Sequence, residues 1–444
     1  MTKARRIGLA SILISVAFSM WLGFYLGLKV VSGPIDFQAI YYGTRCLLEH
    51  HNPYSVTELE GVYHAENGES PPVTPEDRRL ATERRGTVTM YVNLPMLFLF
   101  IAPLAKLQLA TAQWVWLFLA GGGMAIAAFL IWDIGASYSR GVSLFLVCFL
   151  LANCELTFGT GNPAGIVVDL CVIAAWCLIS ERFVLAGIFC MAISLAIKPH
   201  DAGLVWLYFF LAGGVHRKRA LQVLVVVAGL AVPAVLWVSY IAPHWMQDWH
   251  TNMAAISAPG GLNEPGPNSV AANALGRVIS LQAVISVFRD DAHIYNLGTY
   301  LVCGALLLVW SVTTLRSRTS PERAYLALAA IVPLTILVTY HRIYDAKLLL
   351  LIAPASAMLW AAGGPIRWLS FLLNTVGVVL NADLPMVFHI KFFNSLHIST
   401  ATLSGQLLTV FLDRQTSLIL LAMSIFYLWV YVRHPIPERS RDRT

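Results

Sequence analysis

The chain is a succession of thirteen apolar runs, most of them about 15–25 residues long, separated by short charged clusters. That length matches the roughly 20 residues a helix needs to cross a hydrocarbon layer about 30 Å thick. Within lipid every backbone amide and carbonyl must be satisfied internally, so only helices or closed barrels span. The alternating ten-residue segments of a barrel do not occur here. Charged residues make up 12% of the chain, against roughly a quarter in a soluble protein. The expected fold is therefore an all-α polytopic membrane protein, one integral domain over residues 1–444.

Charge orients the runs. Lys3, Arg5 and Arg6 precede the run 7–31, which is too long for a secretory h-region and lacks a good cleavage site near Val30–Ile35. It reads as a retained first span entered from the cytoplasm. Arg217-Lys218-Arg219, the group Arg316, Arg318 and Arg323, then Arg367 and the stretch from Arg433 mark further cytoplasmic loops. Residues 36–85, with nine acids and five arginines, fit an external loop. The predicted organisation is a first external loop at 32–92, central helices at 93–242, an external loop at 243–296 and C-terminal helices at 297–444. Both termini fall inside, and 340–344 and 381–410 fall outside.

Six runs lie between the external loop before Tyr91 and the internal Arg217 cluster, where parity demands an odd number of crossings. One must be a half-helix: the short run 93–106 is preferred over the 183–213 stretch broken at Lys198-Pro199-His200. Trp245, Trp249 and Tyr295 read as interfacial aromatics. The basic clusters are loop punctuation rather than a nucleic-acid surface. Of seven cysteines, six lie in or near apolar runs and Cys46 in a loop, which argues against a disulfide framework or thiolate metal site.

The polar residues of interest gather in the predicted outer segments. Asp36 follows Gly33-Pro34, where one helix ends and another begins; it is either an N-cap or a functional acid. A helix from Phe37 to His50, carrying Tyr41, Tyr42 and Arg45, would lie along the surface and end at His51-Asn52-Pro53-Tyr54. Lys198 and His200 flank Pro199, and Lys198 is either a snorkelling lysine or a functional cation. Asn268 and Arg277 belong to a turn-rich loop. Tyr340-His341-Arg342-Ile343-Tyr344-Asp345-Ala346-Lys347 places more polar chemistry between two spans than a hairpin needs. Together these groups offer one candidate base, Asp36, and the cations Lys198, Arg277, His341 and Arg342, a set suited to displacing a phosphate from a sugar.

The order of these motifs resembles the polyprenol-phosphate-sugar-dependent glycosyltransferases of family 87, within the GT-C superfamily. The resemblance is carried by Asp36 with Tyr41-Tyr42, Leu47-Leu48 through Pro53-Tyr54, Tyr91-Val92-Asn93-Leu94-Pro95, Pro103-Leu104-Ala105, and Ala112-Gln113-Trp114. It continues through Gly161-Asn162, Ala186-Gly187, Ile197-Lys198-Pro199, Asn268-Ser269 and His341-Arg342-Ile343-Tyr344-Asp345. Asn162 stands where the family usually has glutamine, and Val92-Asn93 replaces a more proline-rich pair.

The resemblance implies a GT-C-type bundle of about 12 transmembrane helices with external loops and a surface-lying helix after the first span. It also implies a hexosyltransferase moving a hexose or pentose, mannose first, from a polyprenyl-phosphate donor to a glycolipid or glycan acceptor. The reaction would run at the extracytoplasmic face of a bacterial inner membrane. Asp36 would be the general base, His341 would face the donor phosphate, Lys198 would support it, and Tyr41, Tyr42, His200, Asn268, Arg277, Arg342, Tyr344 and Asp345 would line the substrate site. Such a transfer inverts the anomeric centre in one displacement. No cofactor is expected, and no metal: Asp290-Asp291 with His293 is the nearest approach to a ligand cluster and reads as a solvated loop. The partners are the bilayer, the lipid-linked donor and the acceptor, with no nucleic acid. The alternatives are a transporter or flippase of lipid-linked glycans, which calls for inverted repeats and polar residues deep within spans, and a glycan polymerase or ligase.

Overall fold

The computed structural model describes residues 2–30, 34–67, 88, 90–266, 269, 278–396 and 398–433. The described residues are helical throughout, with no strand among them. Among the described residues eight helices are long and apolar enough to cross a membrane: Lys3–Gly27, Leu109–Ala136, Arg140–Thr160, Gly214–Ile241, Ala292–Arg316, Pro321–Val338, Asp345–Ala362 and Gln415–Arg433. A ninth arises if Gly364–Leu380 and Asp383–Ser395, bent by 73° at their junction, form one span. The expectation of about 12 is thus not reached by length, because several apolar runs fold as shorter pieces. Ala164–Ser180, Val184–Ile197 and Pro199–Leu211 have 17, 14 and 13 residues, and Lys198 separates the last two. Met96–Ala105, from the run preferred as a half-helix, has 10 residues, about half a bilayer crossing.

Local chemistry sets many boundaries. Ser320 caps Pro321–Val338 by accepting from the Arg323 amide, and Pro321 takes the first turn, where its missing N–H costs nothing. Asp291 caps Ala292–Arg316 through the amide of His293. Small residues set the closest crossing. Side chains at Gly23 and Gly27 of the first helix would run into the Glu155 and Gly159 carbonyls, so glycine allows the backbones to touch.

Pro321–Val338 is the most enclosed of the long helices after Asp345–Ala362, and Gln415–Arg433 packs along its length. This pair anchors the larger apolar core, joined by Leu348–Ile352 and by Val168, Val172 and Met191. A second core lies around the helix Ile35–Leu48, built from Phe37, Tyr41, Tyr42, Tyr54, Tyr91, Phe98 and Trp245. Trp245 is buried there, and the Trp249 indole donates to the Val92 carbonyl at 2.9 Å, so these tryptophans clamp two loops together rather than forming a lipid-facing belt. Cys46, expected in a loop, is buried on the same helix, and every cysteine is free.

Candidate active site

The helix Ile35–Leu48 starts at Pro34, and no side chain caps it. Asp36 is in its first turn, and its carboxylate turns away from the backbone amides: Oδ2 accepts from Asn162 Nδ2 at 2.9 Å. The amide of Asn162 is itself oriented, because its Oδ1 accepts from the Ala164 N–H at 2.9 Å. Gly161 makes this turn possible. It closes the short helix Glu155–Thr160 at φ 66°, and a Cβ there would lie 2.7 Å from Phe37 Cβ. The Trp116 indole holds the Gly161 carbonyl at 2.9 Å. The N-cap alternative for Asp36 is therefore replaced by a tertiary hydrogen bond, and among the described residues its Oδ1 accepts none.

Tyr41 and Tyr42 face the aromatic core. Both are buried in the second core, where the Tyr41 hydroxyl donates to Leu107 O at 2.8 Å and Tyr42 packs edge-on against Tyr63.

The richest cluster forms where Lys198–Asp201 meets the connection 339–345. Lys198 Nζ lies 2.6 Å from Asp345 Oδ1 and 3.3 Å from Asp201 Oδ2. Asp345 Oδ2 accepts from the Arg342 amide at 2.7 Å, so one carboxylate both closes the turn and clamps the lysine. Lys198 is thus a buried ion-pair member, not a snorkelling residue. Asp201 was not among the residues singled out in the sequence, yet it stands at the centre: its Oδ1 is 3.1 Å from His341 Nε2 and 3.9 Å from His200 Nε2. A signal was present, since Asp201 follows Lys198 by three residues at the start of a helix opened by proline, the spacing that brings side chains together.

His341 is fully buried, with Nδ1 3.1 Å from Thr339 O and Nε2 turned to Asp201. Burial opposes charge on its ring, but the neighbouring Asp201 outweighs burial, so the imidazole titrates above its ordinary value. This inward arrangement differs from the expectation that His341 faces a donor phosphate. Arg342 is better placed for that. Its Nη2 donates to Leu262 O at 3.1 Å and Asn263 Oδ1 at 3.0 Å, while its Nε is buried with no partner among the described residues. Burial disfavours its charge, but Tyr344, Tyr340 and Asp36 more than compensate, and the guanidinium is held as a cation. Burial pushes the Tyr344 hydroxyl well up, with Asp36 again among the charges it senses.

Asp36 is within electrostatic reach of Arg342 and Tyr344, so the helix Ile35–Leu48 and the 340–345 motif sense each other's charge. Arg342 stacks over Tyr340 at 5.5 Å and Lys198 over Tyr344 at 5.4 Å, so the two tyrosines wall the cations. Asn268 and Arg277 lie outside the described residues. Chemically the region offers an oriented carboxylate with one oxygen open and, within electrostatic reach of it, an arginine with donor capacity to spare. That pairing suits activation of a hydroxyl against a group leaving with negative charge.

A second buried ion pair lies on the other side of the 3₁₀ segment Asp345–Ile352. Lys347 Nζ donates to Asp383 Oδ1 at 2.8 Å, Asn153 O at 2.8 Å and Asn381 O at 3.1 Å, and Asp383 Oδ2 accepts from the Leu156 amide at 2.7 Å. Three residues per turn put positions two apart on different faces, so Asp345 points to Lys198 while Lys347 points to Asp383.

No curated protein and no solved structure matches the chain significantly. Among protein families, residues 91–339 match glycosyltransferase family 87. The matched segment is more than half of the chain; it includes Asn162, Lys198 and Asp201 and leaves Asp36 and the 341–345 motif to either side. With helices able to span a bilayer many times, this chain belongs to glycosyltransferase family 87 and is a multi-pass membrane glycosyltransferase.

Proposed function

We propose that the protein transfers a hexose or pentose, mannose first, from a polyprenyl-phosphate donor to a glycolipid or glycan acceptor at the extracytoplasmic face of a bacterial inner membrane. The observation that carries this reading is the Asp36 carboxylate, oriented by Asn162 and facing the field of Arg342. Asp36 takes the proton of the acceptor hydroxyl as that oxygen bonds to the anomeric carbon, and the polyprenyl phosphate leaves with the glycosidic electron pair. One displacement inverts the anomeric centre, with no covalent sugar intermediate.

Arg342 meets the departing phosphate, for which guanidinium geometry is suited. His341, Lys198, Asp201 and Asp345 act behind it as positioning residues, because their charges are already engaged with one another. Tyr344 and Tyr340 wall the phosphate side, His200 borders it, and Asn268 and Arg277, outside the described residues, are further substrate-binding candidates. Tyr41 and Tyr42 support the helix that presents Asp36. The basic clusters at Arg217 and Arg316 support the cytoplasmic placement of the opposite face and of both termini. Family membership favours transfer over transport.

The test is transfer of a labelled sugar from a synthetic polyprenyl-phosphate donor by membranes carrying the protein, compared with Asp36→Asn. Loss of at least about 100-fold is expected for removal of a general base; undiminished transfer by the variant overturns the assignment.

A further inference from the structure

Three ligand-type atoms converge beside the phosphate-facing arginine. His200 Nε2, His341 Nε2 and an Asp201 carboxylate oxygen all lie within 4.8 Å of one another. Beyond the ion contacts of Asp201 with Lys198 and His341, none of these atoms, nor the second Asp201 oxygen, has a hydrogen bond of proper geometry among the described residues, although all are buried. Asp201 and His341 are at most 1% exposed. Unsatisfied buried groups of this kind are rare and call for an explanation.

The tautomer of His341 sharpens the question. Thr339 O can only accept, so His341 Nδ1 carries hydrogen. Were the ring neutral, a bare Nε2 lone pair would face a carboxylate oxygen 3.1 Å away. Two acceptors would then face each other, so a positive species must stand between them. A proton answers for that pair alone and leaves His200 Nε2 unanswered. One metal ion answers for all three.

We propose that His200, Asp201 and His341 form a divalent transition-metal site, of the two-histidine, one-carboxylate type. Ligand atoms about 2.0–2.2 Å from a common ion lie roughly 3–3.5 Å apart. The His341–Asp201 separation already meets this; His200, 3.9 Å from Asp201, within 4.8 Å of the His341 nitrogen and with a third of its side chain exposed, must turn inward to complete the set. The Thr339 carbonyl on Nδ1 is the outer-sphere partner that metal-binding histidines commonly have. Two imidazoles favour Zn²⁺, and Mn²⁺ more weakly, over Mg²⁺ and Ca²⁺, which prefer oxygen. Lys198, 3.3 Å from the other Asp201 oxygen, restricts that carboxylate to one metal bond and leaves coordination positions open. This site departs from the absence of metal expected from the sequence, where His200 and His341 are 141 positions apart and Asp201 drew no notice. Its use, binding a phosphate oxygen of the donor next to Arg342, rests on the reaction proposed above; its existence does not.

The experiment uses the full-length protein in detergent, purified without a histidine tag and stripped with chelator, then titrated separately with Zn²⁺, Mn²⁺ and Mg²⁺. Bound metal is measured by mass spectrometry and stability by thermal unfolding. The expected result is retention of about one equivalent of Zn²⁺ or Mn²⁺ with a raised unfolding midpoint, and no response to Mg²⁺. His200→Ala leaves the Asp201–His341 contact in place and should weaken binding beyond the 10–100-fold that even outer-sphere changes typically cost. Asp201→Asn should abolish binding, whereas Asp36→Asn should bind metal normally whatever becomes of sugar transfer. A folded wild type that binds none of these ions overturns the proposal, as does unchanged binding by both His200→Ala and Asp201→Asn.

Discussion

Asn162 holds Asp36 by a 2.9 Å hydrogen bond between residues 126 positions apart, and its own amide is locked by the backbone of Ala164. One carboxylate oxygen is thereby committed and the other left open. Asn162→Ala should lower kcat about tenfold with little change in KM, the effect of losing one orienting hydrogen bond worth roughly 1.5 kcal/mol. Asn162→Gln, keeping the donor, should recover part of the rate. Steady-state kinetics with both variants, normalised to the folded fraction, checks this; a loss of kcat that disappears on normalisation would point to unfolding instead.

Gly161 presents that asparagine. With φ at 66° and Phe37 Cβ 2.7 Å from any added Cβ, Gly161→Ala combines backbone strain of about 1–2 kcal/mol with a clash against the helix that carries Asp36. The variant should unfold at lower temperature and lose transfer. Gly122→Ala, where open space surrounds the position, should do neither.

Lys198 is sandwiched between two buried carboxylates. Lys198→Met leaves Asp201 and Asp345 without their cation, a change that typically costs about 3–5 kcal/mol. Thermal unfolding in detergent should show it, and Lys198→Met combined with Asp345→Asn should regain part of the loss. A double variant no more stable than the single one would argue against the pairing.

Lys347 tests a structural role. Its ammonium ties together the breaks at 152–154 and 381–382 and does not reach the Asp36 site. Lys347→Met should destabilise by a similar 3–5 kcal/mol, while KM for the donor in the folded fraction stays within about twofold. A large KM change without destabilisation would place Lys347 in substrate binding.

Arg342 bridges two loops through Leu262 and Asn263 and keeps a buried Nε free of partners among the described residues. Arg342→Lys preserves charge but not the fork, so transfer should fall by about tenfold or more, mostly through KM for the donor. Kinetics with varied donor concentration reads this out. An unaltered KM would move the phosphate contact elsewhere.

The apolar spans, the helix that follows the first of them and the family were legible in the linear chain because each is a local property. Run length decides whether a helix can cross lipid, basic clusters decide where loops fall, and motif order needs no geometry. Asp36, Lys198, His341, Arg342, Tyr344 and Asp345 could be singled out for the same reason: charge is costly near a membrane and stands out against an apolar background. What those charges touch was decided by helix packing. Asp345 meets Lys198 across 147 positions, and Lys347 turns to Asp383 because a 3₁₀ segment points neighbouring side chains apart. Asp201, an ordinary first-turn acid in the sequence, became the centre of the cluster when the connection 339–345 folded against it. Hydropathy carries no information about which buried charges will be partners. That depends on the crossing of distant helices, where desolvation makes an unpaired charge prohibitive and only three-dimensional packing can bring its counterpart.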